Sequence, residues 1–540
     1  MIQKWKIAAG FALLVLLASA AGSASAADVL EQGRRIYQEG LLPYGKPLQG
    51  IRFDNVPVEG AAAACIGCHR RSGLGGVEGN SLVPPISAPF LFPGDEKPTV
   101  SDPRYPARLV RLHEPYTDAS LAKTIRTAET LAGVKMNTIM PRYALSDRDM
   151  HALTTYLHQL SGAVSPGVGA RSLKFALIIA SGVEADRRQV LLDMVKTYFL
   201  HRNVSWRPGG RHMRMGADLL DRTEREWQLA VWELQGPEQT WGKQLAAYYA
   251  REPVFAVISG LSNTSWAPVH KFCQHERMPC LFPSVDLSAT HEDLYPFYFS
   301  KGTALEAELL AAYLRTQTGQ KPHTLVQVYR DDAVSRGGAE ALAHALAGSG
   351  IKLKTVILKD AAPNALSAVV KGLSSEETPM FWLHPSDLAA LNELTPPAQL
   401  KAAYFSAVLA KDPKPALFSS NWKPIAHLLY PFELSNQRLA RVSAMKRWLT
   451  TYNLPLVDER LQSEVLFDMF LLAGTTSQML DNLYRDYLVE QVESYLGSVI
   501  NLTVYPSLGL STGQRFVSKS GYIAHFDNNK LVAESGRIVP

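Results

Sequence analysis

The segment Ala64–Arg70, ACIGCHR, holds two of the chain's four cysteines, Cys65 and Cys68, with His69 directly behind them. Three chemistries use residues packed this tightly. A zinc site would need further ligands at characteristic spacing, and no second half stands nearby. A thioredoxin-type redox pair would open a helix just after a strand, whereas this motif follows EGAAAA at 59–64 with no strand–helix–strand pattern around it. C-x-x-C-H is instead the attachment signature of a covalent haem: both thiols add to vinyl groups and the histidine is held beneath the iron. The expectation is one haem c on Cys65 and Cys68, with His69 as the proximal iron ligand.

Covalent haem attachment takes place outside the cytoplasm, and the start of the chain agrees. Lys4 and Lys6 precede the apolar run IAAGFALLVLLASAA at 7–21, and small residues at Ala24 and Ala26 form an A-x-A site. This is the pattern of a signal peptide over residues 1–26, since the run is shorter than the roughly 20 residues a membrane span needs. No later segment is apolar enough to span, so the mature protein is expected to be soluble and periplasmic. The formal charge of +5 falls to +3 once Lys4 and Lys6 leave, and no basic run accompanies it, which argues against nucleic acid. At 540 residues, 46% of them hydrophobic, the chain is expected to fold as two or three globular domains.

A run of small residues, SGAVSPGVGARS at 161–172, divides two textures. Residues 28–162 carry a helical pattern at each end. DVLEQGRRIYQEG has an apolar face at Leu30, Ile36 and Tyr37. LSDRDMHALTTYLHQL has an N-cap at Ser146 and a buried side at Met150, Leu153, Leu157 and Leu160. Beyond a linker at 163–171, residues 172–540 alternate short apolar strands (174–181, 228–234, 254–260, 279–284, 323–331, 351–358 and 379–384) with amphipathic helices, which predicts parallel sheets covered on both faces. YIAHFDNNKLVAES near the C-terminus reads as a hairpin around Asp527–Asn529.

The second axial ligand must come from elsewhere in the first domain. VKMNTIMPRYALSD offers Met136 and Met140, and His113 is a further candidate. A thioether is a soft ligand that favours ferrous iron, as suits an electron carrier. With GRRIY in the first helix, CIGCHR, a proline-bearing loop, MPRY and a final helix ending LTTYLHQL, residues 28–162 resemble class I cytochromes c. The resemblance implies an all-α domain in which the methionine of the Met-Pro pair, Met140, is the distal ligand. It also implies that a proline carbonyl, from Pro84 or Pro85 in SLVPPIS, accepts the His69 ring N–H. GLGGVEG at 73–79 is read as backbone passing near the haem, because a lone glycine pattern with no preceding strand does not make a nucleotide loop.

From residue 172 onward, EPVFAVISGLSNTSWAPVHKFCQHERMPCLFPSVD, LYPFYFSKG and HTLVQVYRDDAVSRGGAEALAHAL resemble type I periplasmic solute-binding proteins of the branched-chain amino-acid kind. That implies two α/β lobes with a ligand cleft between them. The loops after VISG and LFPS would line it with Ser262, Asn263, Thr264 and Ser265 on one side and Ser284 and Asp286 on the other. The family has a threonine near Asp286, where a carboxylate would repel a ligand carboxylate, and RDDAVSRGG lacks its usual aromatic near Val334–Arg336; this argues against an amino-acid ligand and leaves a polar, amine or hydroxylated molecule open. For each of these residues the competing reading is a simple helix or turn cap. Cys273 and Cys280 are expected to form a short-loop disulfide, the alternative being two buried free thiols. His270, His275, His291 and His384 lack ligand spacing, and Trp382 reads as core or cleft lining.

Together these features predict a multidomain, periplasmic electron-transfer protein, an all-α cytochrome c domain followed by a two-lobed α/β binding-protein-like domain. The second domain is expected to dock a partner or to bind a small polar molecule, and the expected redox partner is a periplasmic dehydrogenase or another cytochrome. The alternative is a sensor or ABC-transporter receptor whose cleft closure is coupled to the haem. An enzyme ranks last, because no nucleophile–base or metal-ligand constellation stands outside the haem motif.

Overall fold

A computed structural model describes residues 25–53, 55–78, 81–93, 114–205, 225–289, 293–317, 322–359, 365–511 and 513–540. The expected signal peptide lies outside these but for Ser25 and Ala26, and His113 and His291 also lie outside. Among the described residues no helix is long and apolar enough to cross a membrane. The chain forms two compact units that meet in sequence at Val164 and Ser165.

In the first unit, α1 (Ala26–Glu39) opens on a capping box between Ser25 and Asp28 and closes on Gly40 in the left-handed conformation. The hairpin strands β1 (Gln49–Arg52) and β2 (Val56–Glu59) follow, then the single turn α2 (Ile66–His69). Next come β3 (Gly76–Glu78), β4 (Ser81–Val83), α3 (Ala88–Leu91), α4 (Asp118–Thr127), β5 (Arg142–Tyr143) and α5 (Asp147–Leu157). α1 packs on α5 at Gly33, where a Cβ would stand 2.0 Å from the carbonyl oxygen of Ala152; any side chain there would push the helices apart. Ile36, Tyr37, Met150, Leu153 and Leu157 fill the space between, so the helical periodicity is realised as core.

The expectation of an all-α first domain is corrected. β1 is the centre of a three-stranded antiparallel sheet, flanked by β2 and β5, and β3 pairs with β4. These strands are two to four residues long, and Gln49–Arg52 opposite Val56–Glu59 shows too few alternations to register as a period of two.

The second unit contains two sheets. The first has the order β7–β6–β8–β9, all parallel, from β6 (Ser172–Ile179), β7 (Glu226–Glu233), β8 (Ala256–Ile258) and β9 (Cys280–Leu281). Its intervening helices are α6 (Ala185–Ser205), α7 (Trp241–Arg251) and α8 (Ala267–His275). The second sheet has the order β11–β10–β12–β13–β14–β15–β16. Its strands and helices run α9 (Thr303–Thr316), β10 (Thr324–Arg330), α10 (Ala333–Ala345), β11 (Lys352–Leu358), α11 (Ala365–Lys371), β12 (Glu377–Trp382), α12 (Pro385–Asn392), β13 (Ala403–Ser406) and β14 (Ala426–Tyr430). α13 (Ser435–Thr451), α14 (Glu459–Met479) and α15 (Arg485–Tyr495) then return to the first lobe, where α14 packs on α6 and Arg485 bonds the Val254 and Phe255 carbonyls. The chain ends in β15 (Tyr522–Asp527) and β16 (Lys530–Ala533), an antiparallel hairpin turned by Asn528 and Asn529, both at positive φ.

Three crossings therefore join the lobes, near residues 298–303, 430–435 and 504–521. They hydrogen-bond to one another: Glu433 N donates to Val504 O (2.7 Å), and Ser518 N donates to Phe299 O (2.7 Å). The expected linker at 163–171 is corrected in part. From Ser165 it is folded onto the second unit, with Lys174 N donating to Gly167 O and Val168 bridging to Leu173. Cys273 and Cys280 are disulfide-bonded across Cα atoms 6.1 Å apart, tying α8 to β9. Trp382 is wholly buried in the core of the second lobe, against Gly338.

Candidate functional site

Cys65, Cys68 and His69 sit on and beside α2, one turn long. Its two ends are pinned by buried tyrosines. The Tyr143 hydroxyl donates to Ala63 O (2.7 Å) just before the motif, and the Tyr37 hydroxyl donates to Arg70 O (2.7 Å) just after it. Arg70, at φ +66, thereby turns the chain back. These tyrosines come from GRRIY and MPRY, segments whose periodicity and resemblance are visible in sequence while the anchoring role is not. Both cysteines are free thiols; burial pushes the Cys65 thiol up to about 12, so it is protonated at neutral pH.

His69 is buried, and its Nδ1 lies 3.0 Å from Pro84 O. A carbonyl can only accept, so Nδ1 carries the proton and Nε2 the free lone pair. Burial lowers the ring to about 4 against the opposing pull of the Pro84 carbonyl, so the imidazole is neutral across the physiological range. Gly75 makes this contact reachable. It lies at φ +67, its N–H donates to His69 O (3.0 Å), and a Cβ there would stand 2.2 Å from Val83 O. The glycine loop thus brings Val83 and Pro84 against the motif. Between the two prolines, the contact is with Pro84.

Met140 is half-buried and packs against the same apolar cluster as Cys65 and Ile66. It closes a turn in which its N–H donates to Asn137 O (2.9 Å), and the Asn137 amide reaches Ser81 on β4 (3.3 Å). Met136 is not among the side chains packed on that cluster; its N–H donates to Ala128 O. Two unpaired thiols, a neutral imidazole with Nε2 free and a thioether on the same apolar cluster make a donor set that fits a covalently held haem with axial nitrogen and sulfur ligands.

In the second unit the loops after β8 and β9 meet: Ser262 N donates to Ser284 O (3.3 Å), and both residues are buried. Their hydroxyls do local work. Ser262 Oγ accepts from Thr264 N, and Ser265 Oγ accepts from Ala267 N at the start of α8. Asn263 is held from both ends, its Oδ1 accepting from Arg187 (2.6 Å) and its Nδ2 donating to Glu184 (2.7 Å). Asp286 is 5% exposed and carries two cations, Lys411 Nζ on one oxygen (2.9 Å) and Arg460 on the other (2.7 Å). Burial alone would raise this carboxyl, but Lys411, Arg460 and Arg187 overcome it and hold the pKa well below the usual carboxylate range. Its repulsion toward a ligand anion is therefore cancelled from within.

Two further carboxylates, invisible to motif reasoning because their partners are distant in sequence, brace the strand ends at β8 and β13. Asp468 on α14 accepts from the N–H (2.8 Å) and hydroxyl (2.7 Å) of Ser259, which lies at φ +50 where β8 ends. Glu306 on α9 accepts from Val408 N (2.8 Å) and from the Ser406 hydroxyl where β13 ends. Burial pushes Asp468 up to about 7 and Glu306 up to about 8. Of the remaining histidines, His270 is enclosed between Tyr298 and Asp293, His275 lies exposed beside Glu276, and His384 meets Asp332 at the ends of β10 and β12.

Residues 59–161 match the family model described as Cytochrome c. No curated protein matches the chain. A branched-chain amino acid ABC transporter from Thermus thermophilus with bound valine superposes with a TM-score of 0.51 at 11% identity, over 68% of this chain and 97% of its own. The fatty acid ABC transporter substrate-binding protein of Thermomonospora curvata gives 0.49 at 14% identity, over 70% of this chain and 95% of its own. At such identities the likeness concerns fold and not ligand. The chain accordingly joins a unit whose residues 59–161 match the Cytochrome c model to a two-lobed α/β unit with the fold of type I periplasmic binding proteins.

Proposed function

We propose that the protein is a periplasmic electron carrier holding one haem c through Cys65 and Cys68, with His69 and Met140 as axial ligands. When bound, the haem supplies one-electron chemistry at its iron. The observation that carries the reading is the His69 ring, buried and neutral, with Nδ1–H donated to Pro84 and Nε2 free beside two unpaired thiols. The residues of the chain then have three tasks. Pro84 orients the imidazole, the tyrosine-pinned ends of α2 fix the thiols, and Met140 offers a soft donor that favours the ferrous state. No proton transfer or nucleophile is required, so the protein acts as a carrier and not an enzyme. Its partners are a periplasmic dehydrogenase or another cytochrome.

The second unit binds a small polar molecule, or docks a partner, at the cleft floored by Ser262, Ser284 and Asp286. The test of the haem reading is the double variant Cys65→Ala, Cys68→Ala, expected to lose all haem that resists acid–acetone extraction; retention of covalent haem overturns it. Met140→Ala is expected to abolish the near-infrared methionine-to-iron band of the ferric protein. Loss of that band in Met136→Ala instead reassigns the ligand.

A further inference from the structure

One loop of the second lobe makes two ion pairs of opposite polarity with the first. Lys411 and Asp412 are consecutive, follow β13, and both lie at φ +58, a region that non-glycine residues adopt only when surroundings over-determine it. Lys411 Nζ reaches Asp286 beyond β9 (2.9 Å), whose other oxygen is held by Arg460 of α14. Asp412 meets Arg438 on α13 (2.6 Å) and accepts from the Tyr430 hydroxyl (2.8 Å), while Arg438 also pairs with Glu459. The base of the loop is braced by Glu306, which holds Ser406 and Val408, and by Asp412 N donating to Ala407 O (2.8 Å). A strained loop tip with a rigid base, presenting adjacent opposite charges to complementary charges of the other lobe, is a fastening.

We propose that Lys411 and Asp412 form a two-pronged latch that holds the lobes together without any solute. Both prongs are direct ion pairs between side chains, and the Lys411 side chain is 34% exposed. Asp412 and Arg438 are more enclosed, at 28% and 11%. For the cleft read above as a binding site, the latch sets the competent fraction: solute entry requires the pair Lys411–Asp286 to part, and apparent affinity falls by the fraction of molecules that are open. This consequence rests on the binding-site reading; the latch itself does not.

Hydrogen exchange of the full-length holoprotein without added solute tests it, so failure of the latch and failure of solute binding are read separately. In the double variant Lys411→Met, Asp412→Asn, exchange at 407–412 and at the crossings 298–303 and 515–520 is expected to speed by about tenfold, with β6 unchanged. Lys411→Arg alone should remain at the wild-type rate. Unchanged exchange in the double variant overturns the proposal. Should that variant not fold, wild-type protein at about 1 M salt is expected to show the same local acceleration relative to low salt, and salt-insensitive exchange in these segments overturns it equally.

Discussion

The two functional regions of the chain are assembled in opposite ways. In the first unit, three reactive side chains lie within five consecutive residues, and distant parts of the chain do no more than fix their ends: Tyr37, Tyr143, Pro84 and Met140 each make one contact or fill one position. In the second unit nothing local suffices. Asp286 draws its two cations from residues 125 and 174 positions away, and Asp468 reaches Ser259 from 209 positions away. A contiguous motif carries its chemistry wherever the fold presents it. A cleft is defined only when several elements have already packed, so its charges serve stability as well as any ligand.

The contrast is broken most severely at Arg460. Its guanidinium bonds Asp286, Glu464 and Val285 O, and the side chains of Asp286 and Glu464 are 7% and 1% exposed. Arg460→Met leaves Asp286 with Lys411 as its hydrogen-bonded cation and Glu464 with the Tyr505 hydroxyl but no cation bonded to it. The expected loss is about 3–5 kcal/mol for the second unit, measured as a shift in its urea unfolding midpoint. A loss below about 1 kcal/mol would show that the network is solvated and that the cleft is as loosely built as a surface loop.

In the first unit the corresponding weak point is a backbone position. Gly75→Ala is expected to cost about 3 kcal/mol, since the new Cβ meets Val83 O at φ +67. It should also displace Pro84 from His69. Thermal unfolding reads the first effect, and the Nδ1 proton resonance of His69 reads the second. A variant that keeps that resonance unchanged would mean that Pro84 is placed by β4 and not by the glycine loop.

What was legible in the sequence follows the same division. CIGCHR, the Met-Pro pair and the buried stripe Met150, Leu153 and Leu157 are patterns of spacing, and spacing is what a sequence displays. The hairpin at Asn528–Asn529 was legible because left-handed turns select asparagine. β13 and β14 were not: Ala403–Ser406 and the core of Ala426–Tyr430 are short runs buried on both faces, with no alternation to mark them and no length to separate them from helix. The short strands of the first unit were hidden for a related reason, since β5 is only Arg142–Tyr143. In the cleft, Ser262, Asn263 and Asp286 were singled out by position, but the residues that determine their state, Arg187, Lys411 and Arg460, sit in helices and loops whose local patterns predict only solvated charge.

The smallest expected effect is the most discriminating, because it depends on sign. Asp468 and Glu306 are raised by burial to about 7 and about 8, whereas in the unfolded chain both ionise near 4. Between those values the folded state binds a proton that the unfolded state has released, so stability falls as pH rises through about 4–7 for Asp468 and about 4–8 for Glu306. Carboxyls held low by cations, such as Asp286, act oppositely and only on the acid side, losing their contribution as pH falls below about 4. The second unit should therefore be most stable in mild acid and lose about 1.4 kcal/mol per pH unit for each raised group above it. Asp468→Asn keeps an acceptor for Ser259 but cannot ionise, and should remove about half of that slope between pH 5 and 7. If the variant's slope equals that of the wild type, Asp468 is already ionised in the folded protein, and the Ser259 N–H and hydroxyl are stabilising a buried charge rather than a neutral acid.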